Sequence, residues 1–119
     1  MHRQKKLWPT LRLLPGPLRG SVIFEHDPKQ REWDWRSKGI ADIDCVWISA
    51  LMLQSPNLRE IKFDENQAGD AGAKLLAAAL AQCPHITYFN LWYNGLGAEG
   101  IAAVNACKRD GLDIYVSMQ

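Results

Sequence analysis

Apolar positions along this chain switch repeatedly between two periods. Ile61-Lys62-Phe63 alternates apolar and polar, as a strand with one buried face does. Asn66 and a glycine-bearing loop follow, and then Ala73, Leu76, Ala77 and Leu80 recur at helical spacing. The succession restarts at Phe89 and Leu91, passes Asn94 and Gly95–Gly97, and continues to Val104. Each unit therefore reads strand, loop, helix, turn. Helices are predicted from near Asp70 to about Gln82 and from near Ala98 to about Arg109, with Gly111 just past the second helix's end.

The restart has a fixed length. Leu58–His85 and Ile86–Asp113 are equally long, and Gln30–Asn57, of the same length again, stacks upstream in the same register. Trp33, Ile61 and Phe89 then coincide, as do Trp35, Phe63 and Leu91, and Ile48, Leu76 and Val104. Asn66 falls on Asn94, and Gly72 on Gly100. One unit cannot bury both of its faces, but stacked units share a continuous core. The prediction is an α/β solenoid with repeats 30–57, 58–85 and 86–113 and a closing strand over 112–117, which arrives early for the period. Asn66 and Asn94 are expected to satisfy backbone groups where the chain leaves each strand.

The string L-x-x-I-x-F-x-x-N, followed by A-G-D-A-G-A-x-x-L-x-x-x-L, resembles the leucine-rich repeat of the ribonuclease-inhibitor subtype, with 28-residue units and full helices. The likeness covers Leu58–Asp113 well. In Gln30–Asn57 it departs: Trp33 and Trp35 replace aliphatics, Lys38 replaces the Asn, and Asp44 replaces the Gly. An edge or capping unit is expected to be atypical in this way. The resemblance implies parallel strands on a concave face, helices on the convex face, and partners that bind the outward strand residues.

Composition narrows the class. The chain has 119 residues, 47% hydrophobic and 23% charged, with a net charge of +1, which suits one globular domain. No apolar run approaches the ~20 residues of a membrane span. The charge is uneven: residues 1–24 carry Arg3, Lys5, Lys6, Arg12 and Arg19 with no acid, a balance of +5, against 9 basic and 13 acidic residues elsewhere. Residues 1–26 are read as a basic arm and cap, interleaved with prolines, and 27–119 as the repeat domain. Ser21–Glu25 could add a strand or a cap there. Cys45, Cys83 and Cys107 are odd in number and lack C-x-x-C spacing, which suits an intracellular, reducing compartment. Pro9, Pro15 and Pro17 break any secretory core, and the acid-free start admits a mitochondrial location.

Several motifs invite chemical readings. Gly95-Leu96-Gly97-Ala98-Glu99-Gly100 matches the dinucleotide pattern G-x-G-x-x-G between a strand and a helix. Two of its glycines recur at Gly69 and Gly72, so they are read as repeat positions and no cofactor is expected. His2, His26 and His85 are scattered, with His85 expected on an exposed turn, and no metal site is expected. The cysteines lie on or near helices, where a small buried residue is the default. Asp34, Asp64 and Glu65 could be imagined as an acid/base pair. They alternate with Arg31, Arg36, Arg59 and Lys62, however, and cross-strand ion pairs are the expected outcome. The chain is read as no enzyme.

The surface then carries the function. Outward strand residues are Arg31, Glu32, Asp34, Arg36 and Ser37, then Arg59, Glu60, Lys62, Asp64 and Glu65, then Thr87, Tyr88, Asn90, Trp92 and Tyr93. The last set is aromatic where its equivalents are polar, and Trp, Tyr and Arg dominate binding hot spots. Partner binding is assigned to Tyr88, Asn90, Trp92, Tyr93, Arg59, Lys62, Arg31 and Arg36, with Arg3, Lys5, Lys6, Trp8, Arg12 and Arg19 forming a separate basic arm. The expectation is a non-catalytic protein–protein interaction module, a scaffold or accessory subunit of a larger assembly, with a mitochondrial complex as one setting. The alternative is an RNA- or ribosome-associated protein whose arm contacts phosphates while Trp8 stacks on bases.

Overall fold

The computed structural model describes residues 29–119, where the two periods of the sequence become a sheet and a row of helices. Strands β1 (Glu32–Asp34), β2 (Glu60–Lys62), β3 (Tyr88–Asn90) and β4 (Asp113–Tyr115) form one parallel sheet in chain order. Helices α1 (Asp42–Leu53), α2 (Asp70–Leu80) and α3 (Ala98–Asn105) each link one strand to the next, the crossover that parallel pairing demands. The register puts Trp33 beside Ile61, Ile61 beside Phe89, and Phe89 beside Ile114. The first two steps keep the full repeat length, whereas the step from Phe89 to Ile114 falls short of it, so the final connection is abbreviated. This is a short leucine-rich-repeat-like solenoid.

Alternation on the strands and helical spacing between them build one core. Trp33, Ile61 and Phe89, with Trp35, Phe63, Leu91 and Val116, meet Ile48, Leu76 and Val104 from the helices, and all are buried. The tryptophans of the first unit form a stack: the Trp33 and Trp35 rings lie 4.4 Å apart at 10°, and Trp35 lies 5.6 Å from Phe63. Flat rings fill the edge of the core where the later units use smaller side chains.

Two series of polar side chains tie the units together. Asn66 accepts from the amides of Lys38 (2.8 Å) and Ile40 (3.0 Å) and donates to the carbonyls of Trp35 and Phe63, both at 2.9 Å. Asn94 accepts from the Ala68 amide and donates to the carbonyls of Phe63, Leu91 and Trp92. After β4 the same task falls to Gln119, which accepts from the amides of Asn94 (2.9 Å) and Leu96 (3.1 Å) and donates to Leu91 and Val116.

The second series runs along the helices. The Asp42 carboxylate accepts from the amides of Gly69 (2.6 Å) and Gly72 (2.7 Å), and Asp70 does the same for Gly97 (2.7 Å) and Gly100 (2.9 Å). Each helix thereby caps the exposed amides at the start of the next, where a negative charge also suits the helix dipole. The glycines leave room for this: a Cβ on Gly100 would sit 2.5 Å from Asp70 Oδ1, and one on Gly72 2.6 Å from Asp42 Oδ1. Helix α1 instead caps itself. Asp44, in the register position of Gly72, accepts from the Ala41 amide at 2.9 Å. Asp44 is buried, its other oxygen lacks a hydrogen-bond donor, and burial pushes its carboxyl above the ordinary value.

Three expectations need correction. Helices α2 and α3 stop at Leu80 and Asn105, because the chain tightens into turns at Ala81 and Ala106. Gly111 is no helix cap. It is left-handed (φ +85°) in the turn that enters β4. His85 is half-buried, with its Nε2 3.2 Å from the Ser55 carbonyl oxygen. The basic arm over 1–26, and any strand at Ser21–Glu25, lie outside the described residues.

Candidate functional site

Side chains that alternate with the core residues emerge on the other face of the sheet. Register places Glu32, Glu60, Tyr88 and Asp113 in one row across the strands, and Asp34, Lys62, Asn90 and Tyr115 in another. Just beyond, Ser37, Glu65 and Tyr93 occupy one repeat position, and all three have left-handed backbones, with φ of 54°, 62° and 59°. Residues other than glycine seldom adopt this conformation. Here it recurs because each amide bonds to the next unit: Ser37 N to Asp64 O (3.2 Å), Glu65 N to Trp92 O (2.9 Å) and Tyr93 N to Met118 O (2.8 Å).

The β1 side of this face is charged, and Lys62 and Arg36 are engaged in ion pairs. Lys62 pairs with Glu32 across the strands at 2.7 Å, and Arg36 makes two bonds to Asp34 at 2.7 and 2.6 Å. The Arg36 bond holds the Asp34 carboxyl below the usual carboxylate range, and Glu32 raises Lys62. These pairs are well solvated and contribute little to stability. Arg59 turns its guanidinium toward the carbonyls of Pro56 and Leu58, and Arg31 is exposed. The cross-strand ion pairs expected of Asp34, Asp64 and Glu65 are not formed among the described residues. Asp34 pairs within its own unit, with Arg36, Asp64 and Glu65 make no ion pair, and the cross-strand pair that does form uses Glu32 with Lys62. Asp34 is thus taken up by Arg36, and Glu65 accepts from Ser37 Oγ at 2.8 Å.

The β3–β4 side is aromatic. Tyr115 is the hub: its ring lies 5.2 Å from Tyr88, tilted, and 5.2 Å from Trp92, edge to face. Trp92 in turn lies 6.3 Å from Tyr93. Tyr93 is 46% exposed, while Tyr88, Trp92 and Tyr115 are half-buried. Trp92 is therefore partly covered by its own chain, and its indole Nε1 is buried without an acceptor. Asn90 is not an outward contact. It is buried, accepting from the Trp92 amide at 2.9 Å and donating to the Tyr88 hydroxyl at 3.3 Å, so it positions both aromatics. Sequence reasoning missed Tyr115, whose signal was the alignment of Ile114 with Phe89. The arm residues Arg3, Lys5, Lys6, Trp8, Arg12 and Arg19 lie outside the described residues.

Other candidates resolve into structural roles. The amides of Gly97 and Gly100, which a dinucleotide phosphate would need, are held by Asp70. The thiols of Cys45, Cys83 and Cys107 face the carbonyls of Ala41, Met52 and Ala77. Burial raises all three above the ordinary thiol range, Cys45 to about 12, which disfavours reactive thiolates. Among the described residues, no three His, Cys, Asp or Glu side chains are grouped to hold a metal ion, and no helix is long and apolar enough to cross a membrane. On the convex side, Ile43, Val46 and Leu53 of α1 are exposed, where the equivalent positions of the next unit are Ala71, Lys74 and Ala81.

The chain matches no protein-family model. It is similar to human Protein NLRC5, a leucine-rich-repeat protein, at 26% identity over 125 residues. That match takes in 90% of this chain and 7% of NLRC5, so the chain spans a small fraction of that relative.

Proposed function

We propose that this protein is a non-catalytic protein–protein interaction module whose partner docks on the strand face, centred on Tyr93, Trp92, Tyr88 and Tyr115. One observation carries the reading. The repeat positions of Trp92 and Tyr93 hold Asp64 and Glu65 in the unit before, so aromatic character here is no requirement of the fold. Aromatic side chains on a face that is otherwise wet supply large rigid contact area at small entropic cost, as binding hot spots do. The likeness to a leucine-rich-repeat protein supports the same reading. The repeat length kept over the first two strand-to-strand steps, with helical crossovers, supports the ribonuclease-inhibitor subtype.

The module serves as a scaffold or accessory subunit of an intracellular assembly, a mitochondrial complex being one setting. Residues 1–26 supply a separate electrostatic anchor, and steep salt dependence of partner binding would favour the RNA reading of that arm.

Tyr93→Ala is the clean probe, because Tyr93 projects to solvent while Trp92 also packs on Tyr115. It should weaken partner capture at least tenfold and leave the melting temperature nearly unchanged. A benzoylphenylalanine at position 93 of the full chain should crosslink a discrete partner in cells, and the same group at the convex Glu99 should not. Equal crosslinking from both positions, or none from position 93, overturns the reading.

A further inference from the structure

We propose that the aromatic end of the sheet face takes a cationic peptide segment, an extended stretch carrying arginine or lysine. This rests on the strand face being the docking face and adds the chemistry of what docks there. Carboxylates border the rings. Glu60 and Asp113 flank Tyr88 in the strand register, and Asp64 and Glu65 hold the repeat positions next to Trp92 and Tyr93. Among the described residues, none of these four carboxylates makes an ion pair.

Three cations of this face are engaged elsewhere, Lys62 with Glu32, Arg36 with Asp34, and Arg59 with backbone carbonyls, while Arg31 is exposed. An arriving guanidinium or ammonium would pair with the carboxylates around the patch while its stem lies against the neighbouring rings. Aromatic faces attract cations, and carboxylate bonds to them are the strong, charge-assisted kind. An anionic segment would meet four carboxylates that make no ion pair, which electrostatic complementarity disfavours.

The test uses the full chain and two fluorescein-labelled octapeptides, one alternating Arg-Ser and one alternating Glu-Ser, titrated by anisotropy. The Arg-Ser peptide should bind and the Glu-Ser peptide should not. Asp64→Asn and Tyr93→Ala should each weaken binding about tenfold, Glu99→Gln should have no effect, and added salt should weaken it. Preference for Glu-Ser, no binding of Arg-Ser, or binding indifferent to Asp64→Asn and Tyr93→Ala overturns the inference. Arg-Ser binding that emerges only after Arg3, Lys5, Lys6, Arg12 and Arg19 are changed to Gln makes the chain's own arm the occupant, and also overturns it. The crosslinking at position 93 stands apart from these outcomes: a discrete partner captured there, with no preference for Arg-Ser, leaves the docking face and removes only the cationic assignment.

Discussion

At the α1 end of the array the Ala41 amide is capped by Asp44 from its own helix, whereas at the β4 end the amides of Asn94 and Leu96 are capped by Gln119. Between the ends, Asn66, Asn94, Asp42 and Asp70 each reach a backbone group of a neighbouring unit. The units in between thus borrow their caps, whereas α1 and the segment after β4 use substitutes. The substitutes differ in quality. Gln119 reproduces the asparagine's task with two accepted and two donated bonds, while Asp44 makes one bond and buries an oxygen with no donor.

The largest effect should come from the interior that both ends share. Leu76→Asp places a charge in the fully buried middle of α2, costing several kcal/mol against a total of about 5–15 kcal/mol. Circular dichroism should show an unfolded chain at 25 °C, and a native spectrum would mean the units do not form one core.

Asn66→Ala against Gln119→Ala compares interior and end directly. The first strands the amides of Lys38 and Ile40 and the carbonyl of Trp35, while the Phe63 carbonyl keeps its bond from Asn94, and should cost about 2–4 kcal/mol. The second breaks bonds that are only part-buried, which water can replace, and should cost about 1 kcal/mol. Urea midpoints report both, and equal costs would erase the distinction between borrowed and substitute caps.

Asp44→Asn should give the smallest effect, and a gain. Burial raises the folded carboxyl above its ordinary 3.8, so the native chain binds this proton more tightly than the unfolded chain does. The side chain's contribution is fully present below 3.8 and is lost as pH rises through the raised value. An amide still accepts from Ala41 without carrying a charge. The variant should therefore melt about a few degrees above the parent at pH 7 and match it near pH 3. A destabilised variant at pH 7 would show that the charge itself is needed at the α1 end.

What could be read in advance follows the same division. Strand register, helix placement and the tasks of Asn66 and Asn94 were legible because each recurs at the repeat period. Tyr115 and Gln119 were not, since the last step falls short of that period, which then no longer assigns them positions. The half-burial of Trp92 escaped with Tyr115, the ring that covers it. The capping by Asp42 and Asp70 escaped for another reason. The glycines were visible as a repeated pair, but the carboxylate serving each pair lies a whole unit upstream, in a different helix.

The left-handed column of Ser37, Glu65 and Tyr93 has a consequence for change over time. A hydroxyl, a carboxylate and a phenol occupy the same backbone conformation, each held by its own amide and none buried in the core. The fold thus accepts three unlike side chains at this position, so the column behaves as a row of display sites. Substitutions there can redirect recognition while the scaffold beneath remains the same.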